Sequence, residues 1–518
     1  MSNFKFAIAA FVWLVLLAVG VLLWKFMIAP SREAAKQQEI KQRENEILQN
    51  TQGTSKYKVE IALGIDSFTG YAVFRSPEFQ EDLAKSGMRV NLMDDGADYA
   101  KRLKALETGE LQMAVFPADA LIKTSAQLGR MPATIVAIVD ESRGADAMIA
   151  YKSKVADAKN LDLINTPETR FVLVGDSPSE TLTRVVMHDF DLRKLSSDPF
   201  IRVESPEKVI ERYKRASPSS PEIFVTWEPY VSQLLENAQM HDLFNSSKLT
   251  GYVVDTLVVS RDYLLKNQDQ VEQVLESYFR SLYTYREASK LKQWIIEDAK
   301  KSGQPFQSDQ ADRLAERIAA GIQWRNTQEN FVHFGLRGGE LVHVEDMLRK
   351  ITSILVSSNM IRNDPTGGKP SSLFFDRPMA SLFNRNFHPG LQSEQVREDT
   401  DLATLTEKQW ESLVPVGTLN VTELTFARGN AALTEVSRTI LDDLSVKLRS
   451  WPRYYLMIRG NASNTGNVEA NEALAAQRAA ATLEYLQSQG IPAQRMRATR
   501  GKITGATNVT FQVGELPY

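Results

Sequence analysis

Residues 59–71 read VEIALGIDSFTGY, an apolar run from Val59 to Ile65 that is stopped by a Ser-Phe-Thr-Gly loop. A run of that length bounded by turn residues predicts a buried strand. The pattern repeats downstream, with strands predicted at Arg89–Leu92, Met113–Phe116, Thr134–Val139, Ala147–Tyr151, Arg170–Val174, Phe224–Thr226 and Thr256–Val259. Helix-like segments alternate with them, at Tyr99–Thr108, Glu180–Asp189, Val209–Arg215 and Val231–Asn237. Such alternation predicts an α/β architecture of parallel sheets covered by helices. From Asp269 to about Asn363 the chain reads as mostly helical, with Val271, Val274, Leu275, Tyr278 and Leu282 on one face.

Composition narrows the function. The chain has 518 residues, 43% hydrophobic and 24% charged, as expected of about three globular domains. Lys and Arg number 61 against 64 Asp and Glu, a net charge of -3 that does not suit a protein holding nucleic acid by bulk charge. Cysteine is absent, which removes disulfides, thiolate nucleophiles and Cys-ligated metals. The five histidines, His188, His241, His333, His343 and His388, are scattered without metal spacing. No phosphate-binding loop or dinucleotide glycine motif is present, and Gly335-Leu-Arg-Gly-Gly339 reads as a turn. The expectation is a non-catalytic protein without a cofactor.

Five segments of the α/β region form an ordered set: Ile61–Tyr71, Asp140–Ala150 (DESRGADAMIA), Ser177–Leu182 (SPSETL), Thr226–Tyr230 (TWEPY) and Asp255–Asp262 (DTLVVSRD). In this order they resemble the type 2 periplasmic solute-binding proteins, specifically the nitrate, sulfonate and taurine receptors of ABC transporters. The resemblance implies a bilobed fold over residues 56–363 that closes by a hinge upon a solute, a small anion in that group. The ligand-binding positions it implies are Ser67, Thr69, Gly70 and Tyr71 in the first loop and Ser142, Arg143 and Gly144 in the second. Ser177 and Ser179 follow in the third, Trp227 and Glu228 in the fourth. Bland readings stand beside these. Ser177-Pro-Ser-Glu180 also reads as a capping box, Ser at N-cap and Glu at N3. Trp227 and Tyr71 read equally as core aromatics, and Arg143 as a surface charge. The stretch before TWEPY departs from the family, because Ser217-Pro-Ser-Ser-Pro221 replaces a Gly- and Asp-containing turn.

Helical periodicity fades over residues 364–416, where Asp364-Pro-Thr-Gly-Gly-Lys-Pro370 and Phe387-His-Pro-Gly390 are turn chemistry. This segment is read as a linker, although Phe374, Phe375, Leu382 and Phe383 suggest that it packs on something. From Gly417 the predicted order is strand (Asn420–Phe426), helix (Leu433–Leu448), strand (Tyr454–Arg459), helix (Val468–Gln487) and strand (Val509–Val513). The motifs Leu424-Thr-Phe-Ala, Ile458-Arg-Gly460, Asn471-x-x-Leu474-x-x-x-Arg478-Ala and Gln489-Gly-Ile491 resemble an OmpA-like α+β domain over residues 417–518. That family grips the peptidoglycan stem with an Asp and an Arg. Arg478 occupies the Arg position, Ser463 falls where the Asp belongs, and Asn471 lies on the Arg478 face of its helix as a further candidate. Neutral Thr507 and Asn508 replace the basic pair usual near the last strand.

At the other end, Phe6 to Trp24 is a stretch of 19 residues without charge, bracketed by Lys5 and Lys25. As a helix it would rise about 28 Å, enough to span a bilayer. Residues 1–30 are therefore read as a transmembrane signal anchor and the polar residues 31–55 as a helical stalk. Lys25, Arg32, Lys36, Lys41 and Arg43 follow the span and by charge count would keep the bulk of the chain in the cytoplasm. The domain content argues for export, so the expected location is the inner membrane, single-pass, with the large part in the periplasm. Two functions are compatible with this organisation. One is a membrane-anchored solute receptor working with a transporter or another membrane partner, its tail on peptidoglycan. The other is an envelope scaffold in which both borrowed domains serve protein–protein assembly.

Overall fold

The computed structural model describes Trp13 and residues 56–155, 160–249, 251–303, 306, 309–339, 341–397, 402–504 and 507–517. The expected anchor and stalk lie outside the described residues, apart from Trp13. Among the described residues no helix is long and apolar enough to cross a membrane.

The chain opens on β1 (Val59–Ile65), β2 (Met88–Asp94), β3 (Met113–Pro117) and β4 (Ala133–Ser142). Helices α1 (Tyr99–Thr108) and α2 (Ala118–Leu128) connect the middle strands. Every residue of β4 is buried, as expected of a strand covered on both faces. The chain then crosses to a second sheet of β5 (Asp146–Tyr151), β6 (Arg170–Val174), β7 (Phe200–Val203), β8 (Glu222–Trp227) and β9 (Met240–Asn245). Helix α3 (Pro178–Asp189) follows β6. The chain returns through β10 (Val254–Ser260) and completes the first sheet with the short β11 (Ile322–Trp324). Strand orders are β2-β1-β3-β10-β4-β11 in the first sheet and β7-β6-β8-β5-β9 in the second. Each lobe thus repeats one plan, a parallel core into which a strand arriving from the other lobe is inserted antiparallel. Two crossovers of this kind define a bilobed type 2 binding-protein topology.

Residues 364–397 follow the surface of the large lobe. The Phe375 amide donates to the Ile135 carbonyl (2.8 Å), Arg385 pairs with Glu272 (2.6 Å) and Arg397 with Glu329 (2.8 Å). The C-terminal domain begins earlier than the sequence predicts. Its first strand is β12 (Val414–Thr418), not Asn420–Phe426, and a four-stranded sheet of order β12-β15-β13-β14 follows. Its remaining elements are α4 (Glu435–Ser450), β13 (Tyr455–Ser463), α5 (Val468–Ser488), β14 (Met496–Thr504) and β15 (Val509–Glu515).

This domain is docked on the small lobe through a shared core. Trp451, 1% exposed, meets Phe190 edge-on (5.4 Å between centroids) and Phe244 (5.7 Å), and its indole N–H donates to Asp189 Oδ2 (2.9 Å). Backbone bonds continue the seam: Asp191 N donates to Thr418 O (2.9 Å) and Asn420 N to Asp189 O (2.7 Å). Gly417 is required for this approach, since a Cβ there would stand 2.7 Å from the Phe190 ring.

Candidate functional site

The two crossovers lie side by side. Ser142 Oγ is 2.7 Å from Ser246 Oγ, Gly144 N donates to Ser246 Oγ (2.8 Å), and Ser142 N donates to Val253 O (2.9 Å). Gly144 has φ 124°, which an L side chain rarely adopts, so its role is to turn the chain between lobes. Arg143 pairs with Glu141 (3.1 Å) and its amide donates to Gly321 O (2.7 Å). The second predicted loop is therefore hinge structure.

Between the lobes lies a cavity of about 20 Å³, lined by Asp66, Phe68, Tyr71 and Tyr99, by Pro117 and Val253, by Asp255, and by Asp146, Pro178 and Trp227 of the small lobe. Ligand sites usually exceed about 300 Å³, whereas about 15 Å³ of such space holds one water. The lobes are clasped around it. Thr181 donates to Asp119, Lys123 pairs with Asp176, and Arg317 reaches Glu228 (3.0 Å). Outside, a groove of about 420 Å³ runs between Ser67, Asp94 and Ser302 of the large lobe and Glu207, Glu211 and Tyr230 of the small lobe.

Of the predicted residues, Tyr71 and Trp227 line the inner cavity and Ser67 the outer groove. Thr69 and Gly70 are buried. Gly70 is small because a Cβ would stand 2.5 Å from Asp140 Oδ2, and its carbonyl accepts from Trp324 Nε1 (2.7 Å). Glu228 is 1% exposed and accepts from Arg317 and from the Ser232 amide and hydroxyl (both 2.9 Å), so it is a structural carboxylate. Ser177 is the N-cap of α3 by position, but its hydroxyl donates back to Val174 O (2.7 Å). Glu180 accepts from Asp176 N (3.0 Å), so the predicted capping box is not formed. Burial alone would raise the Glu180 pKa, but Lys123, the Asp176 amide and Arg184 hold it below the ordinary carboxylate range. Ser179 is buried with its hydroxyl unpartnered among the described residues.

The sequence reading passed over Asp146 and Asp255, which dominate the cavity. The Tyr71 hydroxyl donates to Asp255 Oδ1 (2.5 Å), and Asp255 pairs in register with Asp140 across β4 and β10. Burial pushes Asp140 up to about 8, the negative charge of Asp146 adding to the effect, and it holds Asp255 well above the usual carboxylate range, with Asp140 reinforcing it. Asp146 is pushed up to about 7, again by burial first, with Asp119 and Glu228 contributing. These walls are carboxylic rather than basic.

In the C-terminal domain, Arg478 lies over the Phe426 ring (4.7 Å) and donates to Asn430 O (3.2 Å). Asn471 is engaged elsewhere: its amide donates to Ser463 O (3.2 Å) and Thr465 O (2.7 Å), pinning the loop after β13. The Ser463 hydroxyl is 2.8 Å from that of Thr465. The side chains at the predicted Asp and Asn positions thus hold the loop in shape.

The topology and the hinge define a two-lobed binding-protein fold joined to an OmpA-like domain. The sequence model of the OmpA family matches residues 425–512. A curated relative, the peptidoglycan-associated lipoprotein of Rhizobium meliloti (strain 1021), is 38% identical over 81 residues, which are 15% of this chain and 46% of the relative. The chain therefore spans less than half the length of that relative. Among solved structures, the periplasmic aliphatic sulphonate binding protein SsuA from Escherichia coli is 14% identical with a TM-score of 0.45, covering 61% of this chain and 99% of its own. The periplasmic nitrate-binding protein NrtA from Synechocystis PCC 6803 is 14% identical with a TM-score of 0.42, covering 63% of this chain and 98% of its own.

Proposed function

We propose that the protein is a non-catalytic receptor of the bacterial envelope, anchored in the inner membrane by residues 6–24, with its lobes in the periplasm and its OmpA-like tail on the cell wall. The observation that carries this reading is the cavity shared by two lobes across a paired hinge, in a chain whose C-terminal domain is OmpA-like. Closure around a solute would be passed to a membrane partner such as a transporter. The absence of cysteine makes location directly testable. A Glu110→Cys variant carries a single thiol at an exposed site of the large lobe. It is expected to react with a membrane-impermeant maleimide once the outer membrane alone is permeabilised. Labelling only after lysis of the inner membrane would sink the periplasmic assignment.

Wall binding is proposed to run through Arg478, by analogy with the family position it occupies. The guanidinium is partly exposed and keeps N–H groups for a stem-peptide carboxylate. Arg478→Ala is expected to reduce co-sedimentation with purified sacculi at least tenfold while leaving the melting temperature within a degree or two. Unchanged sedimentation would remove this site from the mechanism. The tight interlobe clasp supports the second reading, a scaffold that never opens. Such a protein would co-purify with stoichiometric partners in mild detergent without added solute.

A further inference from the structure

Among the carboxyl groups on the walls of the interlobe cavity, Asp146 and Asp255 form no ion pair with a protein cation among the described residues. Of the carboxylates on its walls, Asp66 is paired with Arg102 (2.9 Å). Asp255 meets the Tyr71 hydroxyl and, behind it, Asp140. Asp140 is 0% exposed, lies behind the wall, and has the Asp255 carboxyl group as its hydrogen-bond partner, so the two share a proton rather than a cation. Nearby cations are committed elsewhere, Arg325 to Glu141, Lys123 to Asp176 and Arg317 to Glu228. The remaining surface is largely aromatic. Phe68 and Tyr71 stand edge to face (5.2 Å, 87°), with Tyr99 and Trp227 completing the walls. Carboxylates combined with aromatic faces stabilise a desolvated ammonium group, through charge on one side and ring quadrupoles on the other. The space itself admits one group about the size of a water molecule.

We propose that the interlobe cavity binds a small ammonium-type cation, either ammonium or the head group of a primary aliphatic amine, against Asp146 and Asp255. This rests on the receptor reading above and specifies the sign and size of its ligand.

When the cation is absent, protons must take its place for the lobes to close. Asp146 faces Asp119 and Glu228, with a hydrogen bond from Ser142, and is pushed up to about 7. Asp140 is pushed up to about 8 by burial first, with Asp146 and Glu141 adding to the effect and the hydrogen bond with Asp255 and the charge of Arg325 opposing it. Asp255 faces Asp140, Asp66 and Asp146. A carboxyl whose pKa is raised by closure favours the closed form fully below its ordinary pKa. That preference is lost as pH rises through about 7 to 8. A bound cation displaces the protons, so its affinity must rise with pH. For one group titrating near 7, the gain between pH 6 and pH 8 is about tenfold.

The test is isothermal titration calorimetry on the full chain in detergent at constant ionic strength. Ammonium chloride, which matches the space in size, and methylammonium chloride are compared with sodium nitrate and sodium methanesulfonate, at pH 6 and pH 8. Saturable binding of ammonium is expected, about tenfold tighter at pH 8, with buffer-dependent heats that report proton release, with methylammonium binding only if an amine head group is also admitted, and with no heat from either anion. Asp146→Asn is expected to weaken that binding at least tenfold at pH 8. The same variant should melt higher than the parent without ligand at pH 8, because it removes a buried charge, and this separates lost binding from lost folding. Saturable anion binding without cation binding would overturn the inference and leave the receptor reading standing. An absence of binding by cations and anions alike would overturn the inference, and cation binding unchanged in Asp146→Asn would overturn the assigned site.

Discussion

Replacing Arg102 with methionine is expected to cost about 3–5 kcal/mol of stability, because it strips the counter-charge from buried Asp66 and half-buried Asp95 at once. The guanidinium is 0% exposed. It donates through Nε and Nη2 to Asp95 (2.6 and 2.5 Å), through Nη2 to Asp66 (2.9 Å), and through Nη1 to the Val115 carbonyl (2.6 Å). Tyr99 and Phe116 flank it, with ring centroids 5.0 and 5.5 Å away. Methionine fills much of the volume but satisfies none of these acceptors, and a broken buried pair costs far more than the intact pair contributes. Arg102→Lys should fall between the two, since one ammonium cannot reproduce a fork spanning two carboxylates and a carbonyl. Urea denaturation of each variant measures the loss. Acid should narrow the deficit of Arg102→Met, because protonation removes the charges that the guanidinium balanced. A loss below about 1 kcal/mol at neutral pH would show that the carboxylates find other partners, and the charge description of the cleft floor would have to be redrawn. The consequence for function is direct, because Asp66 is both a ligand of Arg102 and a wall of the cavity.

How much of this was legible in the sequence depended on where each residue sits in its sheet. The eight predicted strands of the lobes all form, and most are interior strands with partners on both sides, whose apolar runs are unambiguous. The strands that the sequence reading missed, β7, β9, β11, β12 and β14, are all edge strands. An edge strand pairs on one side and carries charge to discourage further pairing, as Arg497, Arg500 and Lys502 do in β14, and this erases the apolar signal. The alternation in Asn420–Phe426 misled for the opposite reason. Leu424 is buried, but by packing of an irregular segment, while Val414–Thr418 takes the strand position. At the site, Tyr71 and Trp227 were implied by the family resemblance of their motifs, and both stand on the cavity wall. Asp140, Asp146 and Asp255 were written inside motifs already singled out, yet an Asp at the end of an apolar strand reads the same whether it meets solvent or another carboxylate. Only the antiparallel pairing of β4 with β10, set by the two crossovers, brings Asp140 and Asp255 together.

Trp451→Ala is expected to uncouple the OmpA-like domain from the small lobe and to cost about 3–5 kcal/mol, the usual loss for a large aromatic removed from a core. The side chain reaches from the C-terminal domain between Phe190 and Phe244, stacks near Tyr454 (6.0 Å), and anchors Asp189, which also receives Lys447 (3.3 Å) and His188 (2.8 Å). Trp451→Phe should keep the ring contacts and lose the indole bond, costing about 1.5–3 kcal/mol because the acceptor is a carboxylate. In calorimetry the parent is expected to melt the small lobe and C-terminal domain together, whereas Trp451→Ala should separate them into two transitions. Combining Trp451→Ala with Phe190→Ala should lose less than the sum of the single variants, since both remove one contact. A single unshifted transition in Trp451→Ala would mean that the seam of backbone bonds alone holds the domains together. The joint matters beyond stability. The OmpA-like domain is fastened to the small lobe, whereas residues 364–397 are fastened to the large one. A hinge that parts the lobes must therefore swing the OmpA-like domain with the small lobe, carrying any change in the cleft to whatever that domain holds. If Trp451→Ala preserves both cation binding and sacculus binding but makes each independent of the other, this joint is where the two are coupled.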